Sequence, residues 1–393
     1  MRLRRCAGLW FEPRESSAFD LDELLAGGSG VVTRVAWLVH APHLDAAIEV
    51  DAGEVAMLGG VSPEEWIDGA RLRSDLGDSR VRRWLRQGLL VGRRGSKAGL
   101  READDRYRQQ HWHGLAAQLH ARSRWHGEDA VQGMAQSGTD TAPGLRERHG
   151  PPPPVLVDRG DHASPVALPR VDPTAFDRLL DARSSCRNFD RSALLPMAQF
   201  ARVMWRAFGA RAVVPAAADF EVLKKAVPSG GAMHPTEAYV VVQRVEGLEP
   251  GLYHYRPVEH ALAPMPRGGA MDGLASFARV AVAGQQYFAD AQVLVVLAPR
   301  FARNFWKYRD HAKAYRVCIL DVGHLSQTLF LSATEQGLGA FITAAINEVD
   351  IEQAFGLTGY VDGPLAVCGF GLRADRMTTP ELDPNHKAWP SSR

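Results

Sequence analysis

Three stretches of this chain carry residue types suited to chemistry. Pro228 to Glu237 reads P-S-G-G-A-M-H-P-T-E and runs into the apolar segment A-Y-V-V-V. At Ser229, Gly230 and Gly231 the backbone amides can approach a flat or anionic ligand, because the glycines carry no Cβ to block it. Pro228 and Pro235 stiffen the two ends. A second stretch, W-K-Y at Trp306 to Tyr308, sets an amine beside a phenol. A third, D-A-R-S-S-C-R-N-F at Asp181 to Phe189, spaces Arg183 and Arg187 four apart around Ser184 and Ser185. Two guanidinium groups and a hydroxyl at a helix end suit a phosphate, since arginine offers forked, charge-assisted hydrogen bonds. Taken singly, this third stretch also reads as a solvated charged turn. W-K-Y also reads as a surface charge run, because Arg309, Asp310 and Lys313 follow it. Together the stretches suggest a redox enzyme holding a planar cofactor.

The elements that must position these residues follow from pattern and punctuation. Asp172-Pro173 predicts the cap of a helix carrying Phe176, Leu179 and Leu180. A second helix is expected over residues 196–208, ending at Gly209. Strands are expected at 238–242, where β-branched and aromatic residues dominate, and at 251–255 and 291–297. A long helix over about 314–336 carries Val317, Leu320, Leu325, Leu329 and Leu331 and stops at Gly337, a natural C-cap. Residues 339–343 and 365–370 read as buried strands. Helices and strands without a regular βαβ repeat predict an α+β fold. With no G-x-G-x-x-G after a strand, a Rossmann dinucleotide site is not expected.

Residues 1–96 read as a separate domain. Strands are expected at 31–38 and 46–50. Ser62-Pro63-Glu64-Glu65 predicts a helix start with Ser62 as N-cap and Glu65 closing a capping box. Asp78 is expected to open a second helix with Val81, Trp84 and Leu85 on one face, stopped by Gly88, with 89–91 returning as a strand. This order describes a winged-helix-like module. Residues 97–168 read as a connector and linker. Its first part, 99–125, is charged and helical and carries Trp112, Leu115, Leu119 and Trp125. His111, His113, His120 and His126 fall here, but His111 and His113 share no helix face and no carboxylate–histidine pattern accompanies them, so a solvated face is expected and no metal site. Residues 131–155 are expected to be polar and loose, ending in the spacer Pro151 to Pro154. The larger domain is placed at 169–393.

Composition narrows the class. A chain of 393 residues with 46% hydrophobic content can bury a sizeable core without disulfides or a structural metal. A net charge of +1 gives no whole-chain argument for nucleic acid or an anionic membrane. Cys6, Cys186, Cys318 and Cys368 are scattered without a C-x-x-C pair, which fits a reducing compartment. No secretory signal pattern opens the chain, and no run is expected to reach the roughly 18 apolar residues of a membrane helix. A soluble, cytoplasmic protein is the expectation.

The ordered set of motifs carries a family resemblance. R-S-S-C-R-N-F, P-S-G-G-A-M-H-P-T-E, P-G-L-Y-H-Y (Pro250 to Tyr255), W-K-Y, G-H-L-S-Q (Gly323 to Gln327) and G-L-G-A-F (Gly337 to Phe341) appear in sequence order. The chain resembles the SagB-type branch of the nitroreductase superfamily over about residues 169–376. That branch includes FMN-dependent dehydrogenases that mature ribosomally made peptides, such as thiazoline and oxazoline oxidases. The resemblance implies an α+β sandwich and a homodimer with FMN at the subunit interface. It assigns Arg183, Ser185 and Arg187 to the phosphate and ribityl chain, and Pro228, Ser229, Gly230 and Gly231 to the isoalloxazine. Leu338 and Gly339 would cover the ring from the other side, and Arg373 or Arg376 would add a late phosphate contact. Lys307 and Tyr308 match the catalytic lysine–tyrosine pair of azoline oxidases.

The chain departs from the family at two places. Ser184 stands where members often have a second arginine, and His234 stands where they often have a tyrosine. His234 reads either as a substrate-side acid or base or as a loop histidine. Tyr253 and Tyr255 read as strand packing, and Cys186 as a buried structural cysteine. Residues 1–96 have the size and element order of a PqqD-like domain that binds a precursor's leader by strand addition. A structural cap over the site is the second reading, and DNA binding through Arg80, Arg82, Arg83 and Arg86 the remaining one. The leading expectation is azoline-to-azole oxidation of a precursor peptide, beside a cyclodehydratase partner, with oxygen reoxidising the flavin and Lys307 as base. An NAD(P)H-dependent reductase of dehydroamino acids, nitro groups or quinones is the first alternative, and a flavin-free leader-binding scaffold the second.

Overall fold

The computed structural model of the chain describes residues 1–94, 98–157, 166–266 and 273–389. The boundary expected between residues 96 and 97, and residues 158–165 of the expected linker, lie outside the described residues. The chain forms two compact units: Met1–Arg124 with Phe301–Arg316, and Trp125–Arg300 with Val317–Arg393.

The first unit holds two three-stranded sheets. Strands β1 (Arg2–Arg5), β5 (Ile67–Asp68) and β6 (Leu90–Gly92) form one, in the order β5-β1-β6. Strands β2 (Trp10–Phe19), β3 (Val31–His40) and β4 (Ile48–Val50) form the other, in the order β2-β3-β4. Leu3, Val39, Leu58, Leu72, Val81, Trp84 and Leu90 meet in its core. The helix expected from Ser62 does not form. The Ser62 hydroxyl does accept the N–H groups of Glu64 and Glu65, at 3.1 and 3.0 Å. Pairing of Ile67 with Leu3 and of Asp68 with Arg2 then draws the chain into the sheet. The helix starts only at Gly69–Leu76, capped by Asp68. The next helix, Asp78–Gln87, runs as expected into Gly88, whose φ of 83° is the left-handed stop that glycine accepts without strain.

Two connector helices, Ala98–Gln109 and Gly114–Arg122, belong to this same unit. Gln118 donates to the carbonyls of Gly8 and His40, and Arg122 to those of Ala41 and Leu44. The short helix Phe301–Lys307 is anchored here too. The rings of Phe301 and Phe305 lie 4.7 and 4.6 Å from that of Trp112.

The second unit is built on one six-stranded antiparallel sheet. Its strands are β9 (Thr236–Val242), β10 (Gly251–Arg256), β11 (Ala261–Pro264), β12 (Val293–Pro299), β13 (Gly339–Thr343) and β14 (Ala366–Gly371). The order is β11-β10-β9-β12-β14-β13. Alternate residues feed two cores. Val240, Val295 and Cys368 pack with Phe200, Met204, Leu325 and Leu329 on one face. Tyr239, Val241, Leu294 and Val367 pack with Phe277, Phe288, Ile351 and Phe355 on the other. A sheet covered on both faces needs apolar side chains at every position, which is why β9 and β12 read as unbroken apolar runs. The architecture is α+β, as expected.

Three local expectations change. The loose stretch 131–155 contains the helices Ala130–Ser137 and Ala142–His149, with Asp129 and Thr141 as side-chain caps. The helix placed after Asp172-Pro173 is capped by Thr174, which closes a capping box with Asp177. A hairpin of β7 (Ala210–Ala217) and β8 (Phe220–Lys225) precedes the P-S-G-G loop. The helix Ala314–Glu335 also passes, by length and composition, as able to cross a membrane, where no such run was expected; half of its apolar window is buried within the fold.

Phe341 is fully buried and stacks on Phe288 at 4.0 Å, joining β13 to the helix Gln286–Ala289. Phe341→Ala is expected to cost roughly 3–5 kcal/mol, read as a lowered denaturant midpoint with an unchanged slope.

Candidate functional site

The P-S-G-G segment links β8 to β9, and its shape is set by one carboxylate. The Ser229 hydroxyl donates to Asp321 Oδ2 at 2.5 Å, and the Gly230 N–H donates to Oδ1 at 3.2 Å. The His234 N–H in turn donates to Ser229 Oγ at 2.9 Å, closing the loop on itself. Asp321 lies on the helix Ala314–Glu335 and is buried. Burial pushes its carboxyl up, and the Ser229 and Gly230 bonds oppose that shift. A Cβ at Gly230 would come within 2.2 Å of Val317 on the same helix, so only glycine lets the loop sit this close. Gly231, Ala232 and His234 have φ of 62°, 59° and 42°. Two of the three are not glycine, a strain that persists because the surrounding bonds over-determine it.

Behind this loop is a small void of about 10 Å³, lined by Lys225, Val227, Ser229, His234, Thr236 and Asp321 among others. Thr236 Oγ1 is buried there without a hydrogen-bond partner. Burial, then the Lys225 and Lys224 amines, push the His234 imidazole down to about 4. At neutral pH this ring is uncharged, able to accept a proton only at a cost.

The arginine–serine motif gathers around a second carboxylate. Arg183 is the C-cap of the helix Ala175–Ala182, its guanidinium 5.4 Å from the Phe330 ring centroid. Ser184 is buried, and its hydroxyl accepts from Arg373 Nη2 at 2.9 Å. Ser185 bridges to Ala340 beside β13. Cys186 packs so close to Gly339 that a Cβ there would lie 2.4 Å from its sulfur. Burial raises this thiol to about 12, leaving it an inert packing residue. The Arg187 N–H donates to Glu381 Oε1 at 2.5 Å, while its guanidinium donates to the Pro380 carbonyl at 3.2 Å. Arg373 pairs with Glu381 at 2.8 Å. Arg376 is exposed and lines, with Arg187, Arg191 and Tyr287, an open cleft of about 730 Å³. Leu338 is buried next to Gly339 at the start of β13.

Thus the Arg187 N–H, the Asn188 amide and Arg373 converge on the Glu381 carboxylate, with Ser184 bonded to Arg373, Ser185 between them in sequence and Arg183 at the preceding helix end. These donors suit an anion, because a carboxylate already occupies them. Pro228 to Gly231 form a separate group pinned to Asp321. Lys307 and Tyr308 belong to the first unit. Lys307 ends the helix Phe301–Lys307 and is exposed, its amine 5.6 Å from the Tyr308 ring centroid. Tyr253 and Tyr255 are buried, their hydroxyls bonded to the Glu249 carbonyl and to His260.

Sequence reasoning missed Asp321, Glu381 and Asn188, whose side-chain amide also donates to Glu381 Oε1 at 2.8 Å. Asp321 had a signal: it is the lone acid within the otherwise apolar C-I-L-D-V stretch of a long helix. Glu381, in T-T-P-E-L-D-P, had none.

Residues 180–372 match the nitroreductase family. The chain carries a nitroreductase-family domain. The chain is 28% identical over 210 residues to a nitroreductase-like protein of Methanocaldococcus jannaschii, covering 53% of this chain and 97% of that one. It is 32% identical over 149 residues to the trifolitoxin-processing protein TfxB of Rhizobium leguminosarum bv. trifolii, covering 37% of this chain and 39% of that protein. It is 25% identical over 164 residues to the microcin B17-processing protein McbC of Escherichia coli, covering 38% and 54%. The solved Escherichia coli microcin synthetase McbBCD complex with truncated pro-microcin bound aligns over 66% of this chain and 92% of the matched chain, at 20% identity and a TM-score of 0.48.

The neutral state of His234 links the domain's stability to pH. An unfolded chain takes up this proton near 6.5, while the fold resists it to about 4. The contribution is therefore whole above pH 6.5 and is lost as the pH falls toward 4. Across that window His234→Asn, which tolerates a positive φ, is expected to show a shallower fall in melting temperature than the unaltered protein. Parallel curves would show that His234 carries no such linkage.

Proposed function

We propose that the chain is an FMN-dependent oxidoreductase of the SagB-type branch that matures a ribosomally made peptide, by oxidation of an azoline to an azole. The observation that carries this reading is the anion-accepting point at Arg187, Asn188 and Arg373, in the same domain as a glycine loop pinned by Asp321. The peptide-processing names of two relatives, TfxB and McbC, support the substrate class.

In this reading Arg183, Ser185, Arg187 and Arg373 hold the cofactor's phosphate and ribityl chain, with Arg376 at the cleft edge. Pro228, Ser229, Gly230 and Gly231 pack against the isoalloxazine, and Leu338 and Gly339 cover its other side. When bound, FMN supplies a two-electron acceptor for the hydride that the azoline ring loses. The protein must remove the accompanying proton. Lys307 takes it as general base, and Tyr308 orients the amine or relays the proton. Lys307 is exposed on the single chain, so its covering during turnover is assigned to the bound peptide or to a second copy of the chain in a homodimer. His234, neutral at working pH, is placed beside the substrate as a hydrogen-bonding group.

Residues 1–96 are assigned to the precursor's leader, as a PqqD-like module, and residues 97–168 and 169–393 to the connector and the flavin domain. A cyclodehydratase would supply the azoline. The protein is assigned to the cytoplasm, and neither nucleic acid nor membrane is a partner in this reading.

The absorbance spectrum of the purified protein tests the cofactor directly: flavin bands, with FMN as the released chromophore, are expected. A colourless protein that also refuses added FMN would remove the enzyme reading. Lys307→Ala is expected to retain the flavin bands and lose peptide oxidation by about 10²-fold or more. Unchanged turnover would remove Lys307 from the mechanism. Rapid bleaching of the bound flavin by NAD(P)H would turn the reading toward a reductase.

A further inference from the structure

The carboxylate that fills the anion-accepting point comes from the chain itself. Glu381 lies beyond the last strand, and its side chain has no exposed surface. Oε1 accepts from the Arg187 N–H at 2.5 Å and from Asn188 Nδ2 at 2.8 Å. Oε2 accepts from Arg373 Nη1 at 2.8 Å and from Trp389 Nε1 at 2.7 Å. Burial alone would raise the carboxyl, yet the Trp389, Arg187, Asn188 and Arg373 donors hold it below the usual carboxylate range. This is a built anion site of four donors, including a guanidinium, and Glu381 is its occupant.

The segment around Glu381 is shaped to deliver it. Asn188 Oδ1 accepts from the N–H groups of Thr378 and Thr379 at 2.7 and 2.8 Å, and its amide returns a bond to the Thr379 carbonyl. Arg187 holds the Pro380 carbonyl. After Glu381, the Asp383 carboxylate accepts from the N–H groups of Lys387, Ala388 and Trp389, folding the chain back so that the indole reaches Glu381. The segment 378–389 is thus a clip with one anchor before the carboxylate and one after.

We propose that Glu381 is an internal competitor for the phosphate site: a phosphate-bearing ligand binds only when the clip 378–389 withdraws its carboxylate from Arg187, Asn188 and Arg373. That the ligand is FMN rests on the function proposed above; the competition itself is with any phosphate. The clip makes ligand entry a two-state exchange of one anion for another, so apparent affinity is lowered by the fraction of chains in which the clip is closed.

The test uses the full chain freed of cofactor, as unaltered protein, Glu381→Gln and Trp389→Phe, with inorganic phosphate and FMN as separate probes. Titration calorimetry reads phosphate, and quenching of flavin fluorescence reads FMN. Glu381→Gln keeps the side-chain shape but removes the charge, and is expected to tighten phosphate and FMN about tenfold. Trp389→Phe loosens the clip and is expected to tighten both about threefold. Phosphate binding unchanged or weakened in a folded Glu381→Gln overturns the proposal. Should that variant fail to fold, Trp389→Phe decides, and unchanged phosphate affinity overturns it. Tighter phosphate binding with no FMN binding in any variant keeps the competitor and removes the flavin reading. Tight FMN binding by the unaltered protein, unmoved by Glu381→Gln, keeps the flavin reading and removes the competitor.

Discussion

The candidate site depends on a buried carboxylate that must be paired. Asp321 sits on the buried face of its helix, where an ionised group without partners would be costly. The nearest remedy is the loop between β8 and β9, which offers the Ser229 hydroxyl and the Gly230 N–H. Meeting both oxygens brings the loop against Val317, a distance only glycine at position 230 allows. The three positive φ angles that follow are the geometric consequence of turning the chain out of that contact and back into β9. The loop's amides are therefore held in place before any ligand arrives, which is what preorganised recognition requires.

The second unit could be read from sequence with good accuracy because its physics is local and repetitive. A sheet buried on both faces forces continuous apolar strands, and Gly209 and Gly337 mark helix ends whatever the tertiary context. Where long-range pairing decides, the pattern fails. Ser62, Pro63 and Glu65 have every local feature of a helix start, yet pairing of β5 with β1 claims the residues that follow. The hairpin of β7 and β8 carries a proline and several alanines, and most of β7 is exposed, so no alternation announces it. The helices within 131–155 were hidden by a polar composition that their caps at Asp129 and Thr141 overcome.

The site was legible to the extent that motif residues also perform structural work. Ser229 and Gly230 were visible as loop chemistry, but their partner lies some ninety residues away, and no spacing rule connects a loop serine to one acid in a long helix. The placement of W-K-Y is of another kind. Phe301 and Phe305 flank Asn304, and these side chains fix the helix Phe301–Lys307 to Trp112 and to the Ala314 carbonyl within the first unit. The helix that carries Lys307 is thus held by aromatic packing of Phe301 and Phe305 on Trp112, a residue far upstream that the W-K-Y motif does not include.

Charge explains why Glu381 can leave the site it fills. A carboxylate brings one negative charge and two oxygens, and these take four donors from Arg187, Asn188, Arg373 and Trp389. The guanidinium groups of Arg183 and Arg187 are not spent on it; one lies over Phe330 and the other holds a backbone carbonyl. A phosphate monoester carries nearly two charges and three strong acceptor oxygens, so it can use the same backbone N–H and Arg373 and also recruit those two arginines. Each added charge-assisted bond from these arginines strengthens that preference. Glu381 has the advantage of being tethered, with a high effective concentration, and the phosphate that of charge. A site balanced between the two excludes weaker anions while still yielding to the ligand with the matching number of oxygens.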